Sequence, residues 1–401
     1  MADGPAIALI DGEHHPAAVR VALDRVEAER GLAGVVFCGG EEKVREGVLA
    51  DPEAHYGRAV VAGEAPAEAL RSLAGGAAVV VDLADEPVLG PPQRMELAAR
   101  AAHLGLAYEA PGMHLEPPRY EPVDYDGPTL AVIGTGKRTG KTAVAGHWAG
   151  LLRDRDPVIV SMGRGGPDEP QLAEPGTGLA ELLVLARDGR HAASDYLEDA
   201  VLAGVRTVGC RRVGGGPLGE PGASNVAAGA ALGASLKPGA LILEGSGSCI
   251  PPVQADRTVC VVGGPAEGLD LYRVLRADLC LLMADVEVER PAIRCELRPE
   301  PAEPIGPDAR LALFTTRAEA CEGVEPVVVS TNLARRSALG ADLDMAAAEG
   351  CDVYLTELKA AAIDTVAERA EAEGARVVFV RNRPVGLDAD LDAALLELAD
   401  A

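Results

Sequence analysis

The sequence predicts an α/β protein in two parts. An N-terminal Rossmann-like parallel-sheet domain spans residues 1–120, a linker covers 121–128, and a larger doubly wound domain follows over 129–401. Three observations lead there. Short apolar runs alternate with amphipathic stretches along most of the chain, the pattern of strands separated by helices in a parallel sheet. Residues 115–128, LEPPRYEPVDYDGP, mix prolines with acidic residues and carry no apolar period, which marks a domain boundary. Residues 129–142, TLAVIGTGKRTGKT, pass from an apolar strand through a loop of glycines and basic residues into a helix whose Val144, Trp148, Leu151 and Leu152 recur at helical spacing.

In the first part the apolar runs are AIALI, GVVFC, RAVVAG and AAVVVDL. Helical candidates such as VRVALDRVEAER and PQRMELAARAAHL lie between them. Working residues of parallel sheets gather beyond strand C-termini. The loops at 11–16 and 82–87 occupy such places, with Asp11, Glu13 and His14 candidates for a substrate, second-metal or dimer contact, set against plain turn and N-cap chemistry. No glycine fingerprint follows the first strand, so this is not a dinucleotide domain. Beyond residue 128 the predicted strands are PVIVSM, TVGC, ALILEGSG, TVCVV, DLCLLMAD, ARLALF, PVVVSTN, DVYLT and ARVVFVRN. Their unbroken apolar character suggests cover on both faces. The proline-rich residues 298–307 read as an extended crossing loop.

With 401 residues and 48% hydrophobic content, sizeable cores are affordable, although 3% aromatics leaves Ala, Val and Leu to build them. A formal charge of −25 argues against nucleic acid or an anionic membrane as partner. Eight scattered cysteines without a CxxC pair make zinc and a disulfide framework poor expectations. The N-terminal residues show no basic region before an apolar segment, and no apolar stretch reaches about 18 residues, so a cytoplasmic protein is expected.

The loop at 134–143 is a P-loop, so the larger domain is expected to be a P-loop NTPase. Glycines let its N–H groups turn inward beside the positive end of the following helix, a cradle for a polyphosphate. The nucleotide-binding set is Gly134, Thr135, Gly136, Lys137, Arg138, Thr139, Gly140, Lys141, Thr142 and Ala143. Lys141 reaches the terminal phosphates, and the Thr142 hydroxyl is placed for Mg²⁺. Glu244, closing LILEGSG, is the second metal candidate. Arg164 lies in the glycine-rich loop SMGRGG, and Arg211 and Arg212 precede another glycine run. With Lys137 and Arg138 these make five basic loop residues in an acidic chain, more cation than one nucleotide needs. Ser224 and Asn225 suit the N-cap of a helix. Asn332 and Asn382 close apolar strands, where either amide could read adenine or simply make a turn. The guanine-reading NKxD is absent, which favours ATP.

The first glycine of GxxxxGK[ST] would fall at residue 135, a threonine; Gly134 stands one place earlier. This form, with the later EGSG, resembles the dethiobiotin synthetase branch of P-loop proteins. LIDGEHHP, DLADEPVL, IGTGKRTGKTAV, SMGRGGP, CRRVGGGPLGEPGASN, LEGSGS, TELKAAAID and VRNRPVG, in that order, resemble the cyclic 2,3-diphosphoglycerate synthetase family over nearly the whole chain. The resemblance implies an ATP-dependent ligase that closes 2,3-diphosphoglycerate into an intramolecular phosphoanhydride through a phosphorylated intermediate, releasing ADP and phosphate. Two phosphates held about 5 Å apart repel by about 3 kcal/mol per unit-charge pair at an effective dielectric of about 20, so several cations are required. Lys141, Thr142, Glu244 and Mg²⁺ would hold the ATP tail. Lys137, Lys141 and Arg164 are the catalytic candidates, and Lys137, Arg138 and Arg164 would neutralise the moving phosphoryl group. Arg211 and Arg212 would clamp the substrate phosphates, joined by Arg138 and Arg164. A homodimer is expected. The competing readings are a ligase of the dethiobiotin synthetase kind acting on another acid, and a nucleotide-driven switch or metal-insertion NTPase.

Overall fold

The computed structural model describes residues 4–45, 47–189, 192–316 and 321–401. The chain forms two compact units, Met1–Arg119 with Pro265–Arg276, and Tyr120–Gly264 with Ala277–Ala401. The first unit therefore draws on a short segment from far along the chain.

In that unit the strands β1 (Ala6–Ile10), β2 (Leu32–Phe37), β3 (Val79–Asp82), β4 (Ala107–Ala110) and β5 (Met113–Leu115) form one sheet in the order β2-β1-β3-β4-β5. All pairings are parallel except β4 with β5. The run RAVVAG, expected as a strand, makes only a single bridge, Val61 to Val36. Val61 exchanges two backbone hydrogen bonds with β2, and Gly63, at φ +77°, then turns the chain. The crossover from β2 leaves the loops after β1 and β3 side by side, the switch point of such a sheet. The segment Pro265–Arg276 packs on the helix Pro91–His103, with Gly268 against Met95, and buries Leu271, Tyr272, Val274 and Leu275.

The second unit contains β6 (Thr129–Gly134), β7 (Val158–Gly163), β8 (Gln171–Ala173), β9 (Arg206–Val213), β10 (Ala223–Ser224), β11 (Leu241–Glu244), β12 (Arg257–Val262), β13 (Leu279–Leu282), β14 (Ala292–Pro301), β15 (Leu311–Phe314), β16 (Val328–Ser330), β17 (Val353–Glu357) and β18 (Arg376–Gly386). Twelve run in the order β10-β9-β7-β11-β6-β12-β13-β14-β18-β17-β15-β16, and β8 pairs with β9. Two parallel regions meet at the antiparallel pair β14–β18. Strands β6, β7 and β11 are buried along their whole length, as their unbroken apolar runs require.

Residues 298–307, expected as a loop, instead begin inside β14. Pro299 and Pro301 are tolerated there because the β13 pairing reaches only as far as Arg294, leaving β18 as the sole pairing strand beyond it among the described residues. The Pro299 carbonyl faces away from β18, accepting from Glu322 N at 2.6 Å, so its missing N–H costs the ladder nothing.

The register of β11 decides the site. Lying between β6 and β7, it places Glu244 opposite both Val132 and Ser161. The helix Lys141–Leu151 packs behind β6, its Trp148 fully buried and donating Nε1–H to Leu395 O at 2.9 Å in the C-terminal helix Leu391–Asp400. No helix among the described residues is long and apolar enough to cross a membrane.

Candidate active site

The P-loop closes through backbone geometry. Gly140, at φ +102°, caps the helix, and Arg138 adopts a left-handed φ of +62°, lifting its side chain and that of Lys137 into the open. A Cβ at Gly134 would stand 2.8 Å from Thr139 Oγ1 and 3.0 Å from Val261 O, so glycine is required. A Cβ at Gly136 would make only an ordinary contact with Thr139 Cγ2 at 3.9 Å, so it carries no such requirement. Thr135 is anchored at the end of β12, its N–H donating to Val261 O and its hydroxyl accepting from Gly263 N.

Lys141 is buried, and its ammonium folds back to donate to Gly136 O at 2.7 Å. Burial pulls it below the usual ammonium pKa, while the charges of Glu244 and Asp195 oppose that pull. Thr142 Oγ1 donates to Glu244 Oε1 at 2.6 Å, and Ser161 Oγ to Glu244 Oε2 at 2.5 Å. The Glu244 carboxyl is buried, and burial followed by the Asp195 charge raises its pKa despite the two hydroxyls.

Arg164 and Arg212 converge beside this group. A Cβ on Gly247, three residues beyond Glu244, would stand 2.6 Å from Arg164 Nη2 and 3.2 Å from Arg212 Nη2. Arg212 is 7% exposed and is held by carbonyls alone, Nη1 to Gly214 O at 2.7 Å and Nη2 to Ser246 O at 2.9 Å. Among the described residues its Nε finds no acceptor, and no carboxylate bonds either guanidinium. Cations gathered over a glycine without a counter-ion form a receptor for an anion.

Arg211 does not share that position. Strand alternation sends it to the other face of β9, where it is exposed and paired with Asp168. Asn225 stands at the N-cap position as expected, but its side chain does not cap the helix. It accepts from Arg211 N at 2.7 Å and donates to Pro167 O and Asp168 O, pinning the Arg164 loop to β9. Asn332 is not brought to the P-loop. It lies beyond the edge strand β16, seven strands from β6, with its amide bonded to Asp342. Asn382 is better placed. It pairs with Pro299, on the same face of the β14–β18 pair as Leu297, whose Cδ1 lies 2.9 Å from the place a Gly140 Cβ would take.

Asp11, Glu13 and His14 belong to the first unit, where Asp11 organises loops. One oxygen accepts from Glu13 N, His14 N and His14 Nδ1, and the other from Asp85 N. Glu13 pairs with Lys43.

Two acids and a lysine escaped the sequence reading. Asp199, on the helix Asp195–Ala203, is 2% exposed, and burial first and the charge of Glu244 next push its pKa well above the usual carboxylate range. Burial pushes the neighbouring Glu198 up to about 8, a shift opposed by Lys359. Lys359, two residues beyond the end of β17 in the TELK segment, pairs with Glu357 at 2.9 Å. The available signal was an acid at 199 within the apolar positions 196, 200 and 203 of one helix face.

A doubly wound sheet with a phosphate-binding loop, a hydroxyl-bound carboxylate and an unpaired arginine couple defines a P-loop nucleotide-binding protein. Family descriptions extend this along the chain: "Cyclic 2,3-diphosphoglycerate synthetase, P-loop domain" matches residues 129–290, the N-terminal domain of the same family residues 5–116, and its C-terminal domain residues 306–383. The protein from Rubrobacter xylanophilus named cyclic 2,3-diphosphoglycerate synthetase is 42% identical, covering 98% of this chain and 96% of its own. Proteins of the same name from Thermococcus onnurineus and Methanothermobacter thermautotrophicus are 39% and 32% identical, each covering 98% of this chain and 98% and 96% of their own. This chain belongs to the cyclic 2,3-diphosphoglycerate synthetase family. Among solved structures, LpxK from Aquifex aeolicus in complex with ATP aligns over 70% of this chain and 90% of its own, with a TM-score of 0.41 and 15% identity, too distant to bear on the assignment.

Proposed function

We propose that this protein is an ATP-dependent ligase that converts 2,3-diphosphoglycerate to its cyclic anhydride. The observation that carries this reading is the convergence of Arg164 and Arg212 over Gly247, unpaired by any described carboxylate, next to Lys141 and Glu244. A nucleotide tail already has the P-loop amides and Lys141. A further pair of guanidiniums suits a second, densely anionic ligand.

One substrate phosphate attacks the γ-phosphorus of ATP and ADP leaves. The neighbouring phosphate then attacks the inner phosphorus of the resulting diphosphate. Inorganic phosphate is expelled and the P–O–P ring closes. Arg164 and Arg212 bring the two phosphates together, so proximity supplies much of the rate. Lys141 follows the transferred group by exchanging Gly136 O for phosphate oxygens, and Lys137 and Arg138 shield it from the loop tip. The residues fit a divalent cation, because Thr142 and Glu244 already present a hydroxyl and a carboxylate oxygen to one another at 2.6 Å. Mg²⁺ held there would offset charge on the β- and γ-phosphates. Asn382 is the adenine reader in this scheme. Asp11, Glu13 and His14 are left as structural groups of the first unit, and a cytoplasmic homodimer is the expected form.

The test is ³¹P NMR of protein, ATP, Mg²⁺ and 2,3-diphosphoglycerate. A cyclic anhydride signal rising with ADP and phosphate is expected; ATP hydrolysis indifferent to the diphosphoglycerate would leave a nucleotide switch instead.

A further inference from the structure

We propose that Asp199 is a protein ligand of the divalent cation, completing with Thr142 and Glu244 a site of two carboxylates and one hydroxyl. This rests on the reading of Thr142 and Glu244 as the metal residues.

Asp199 comes from the helix Asp195–Ala203, outside every glycine-rich or strand-end loop, and is buried on that helix. Three observations place it there. It is 2% exposed, so water does not supply its oxygens. Neither Oδ1 nor Oδ2 receives a hydrogen bond from any described group. The Glu244 carboxyl, which already receives the Thr142 and Ser161 hydroxyls, is near enough for its charge to bear on Asp199. An unsatisfied buried carboxyl facing another is among the most costly polar arrangements a core can hold. A cation lying between the two turns that cost into coordination.

The P-loop helix lies against Asp199. Gly146 follows Thr142 by four residues and so shares its face. A Cβ at Gly146 would stand 3.8 Å from Asp199 Oδ1 and 3.5 Å from the Ala203 Cβ. Both are ordinary contacts, and they place the acid against the face of the P-loop helix that carries Thr142. Among the described residues no cluster of three or more His, Cys, Asp or Glu has metal-holding geometry. Two carboxylates with a hydroxyl suit a small hard cation that keeps several waters and shares nucleotide oxygens. They do not suit an all-protein cage.

The test measures Mn²⁺ binding by electron paramagnetic resonance in the presence of ADP, on the full chain and its D199N and E244Q variants. ADP affinity measured in EDTA and circular dichroism serve as controls. The expected result is a loss of Mn²⁺ affinity of about tenfold or more in both variants, with metal-free ADP affinity unchanged. A loss in E244Q alone overturns the role of Asp199 and leaves the metal reading standing; no loss in either overturns both. Should D199N fail to fold, crystals of the unaltered protein with Mn²⁺ and ADP decide the matter by anomalous scattering. A peak about 2.2 Å from an Asp199 oxygen supports the proposal, and a peak reached only by Thr142 and Glu244 refutes it.

Discussion

Lys141 holds a bond to Gly136 O that a polyphosphate must replace, so its ammonium is positioned before the ligand arrives. Lys141→Ala should lower kcat for ADP release by about 10²–10³-fold while leaving the fold intact by circular dichroism. The two neighbouring arginines should part company. Removing Arg212 deletes charged hydrogen bonds worth about 1.5–3 kcal/mol, so the KM for 2,3-diphosphoglycerate should rise roughly 10- to 100-fold at constant ATP KM. Arg211→Ala, which severs only an exposed pair with Asp168, should move that KM less than about twofold. Equal effects of the two would count against the site. The sequence grouped these arginines because adjacency was all it offered; the pleat of β9 separates them, and strand alternation does that wherever both faces are occupied. Asp199 was hidden for a related reason. A single acid in an apolar helix face carries no motif, and its partner Glu244 lies 45 positions further on.

At the scale of elements, the loop carrying Arg164 is held by close backbone approach as much as by hydrogen bonds. A Cβ at Gly166 would stand 2.0 Å from Cys210 O, a contact no rotamer can relieve. Gly166→Ala should therefore cost about 1–3 kcal/mol and carry Arg164 away from Gly247, so that a lower melting temperature accompanies a raised diphosphoglycerate KM. A variant with an unaltered KM would show that Arg164 does not depend on this packing. The P-loop strand, loop and helix were legible because their chemistry is local: an apolar run, glycines and a lysine at fixed spacing. The strand β14 was not, since two prolines normally argue against a strand. Only the lack of a second pairing strand beyond Arg294 among the described residues makes them admissible, and that is a tertiary fact. RAVVAG failed in the opposite direction, with strand-forming residues that meet a neighbour at Val61 alone.

For the whole molecule, the contribution of Pro265–Arg276 to the first unit could not be seen in the sequence, because a short apolar helix looks the same wherever it docks. Its stability consequence is calculable. Leu271, Tyr272, Val274 and Leu275 are nearly fully buried, and apolar side chains of this size contribute about 1.5–3 kcal/mol each as an upper estimate. Their sum rivals the total stability of a small domain, about 5–15 kcal/mol. A fragment of residues 1–119 should therefore bind a hydrophobic dye and melt without a sharp transition. The same fragment joined through a flexible linker to residues 265–276 should melt cooperatively. Identical melts would mean the segment is a passenger.

That excursion also sets a timetable for biosynthesis. A nascent chain that has delivered residue 119 still lacks part of the first core until residue 276 emerges, a wait of roughly 8–30 s at about 5–20 residues per second. Sequential maturation from the N-terminus is thus closed to this protein. The first unit must linger on the ribosome without part of its core, while the nucleotide-binding unit is already under construction.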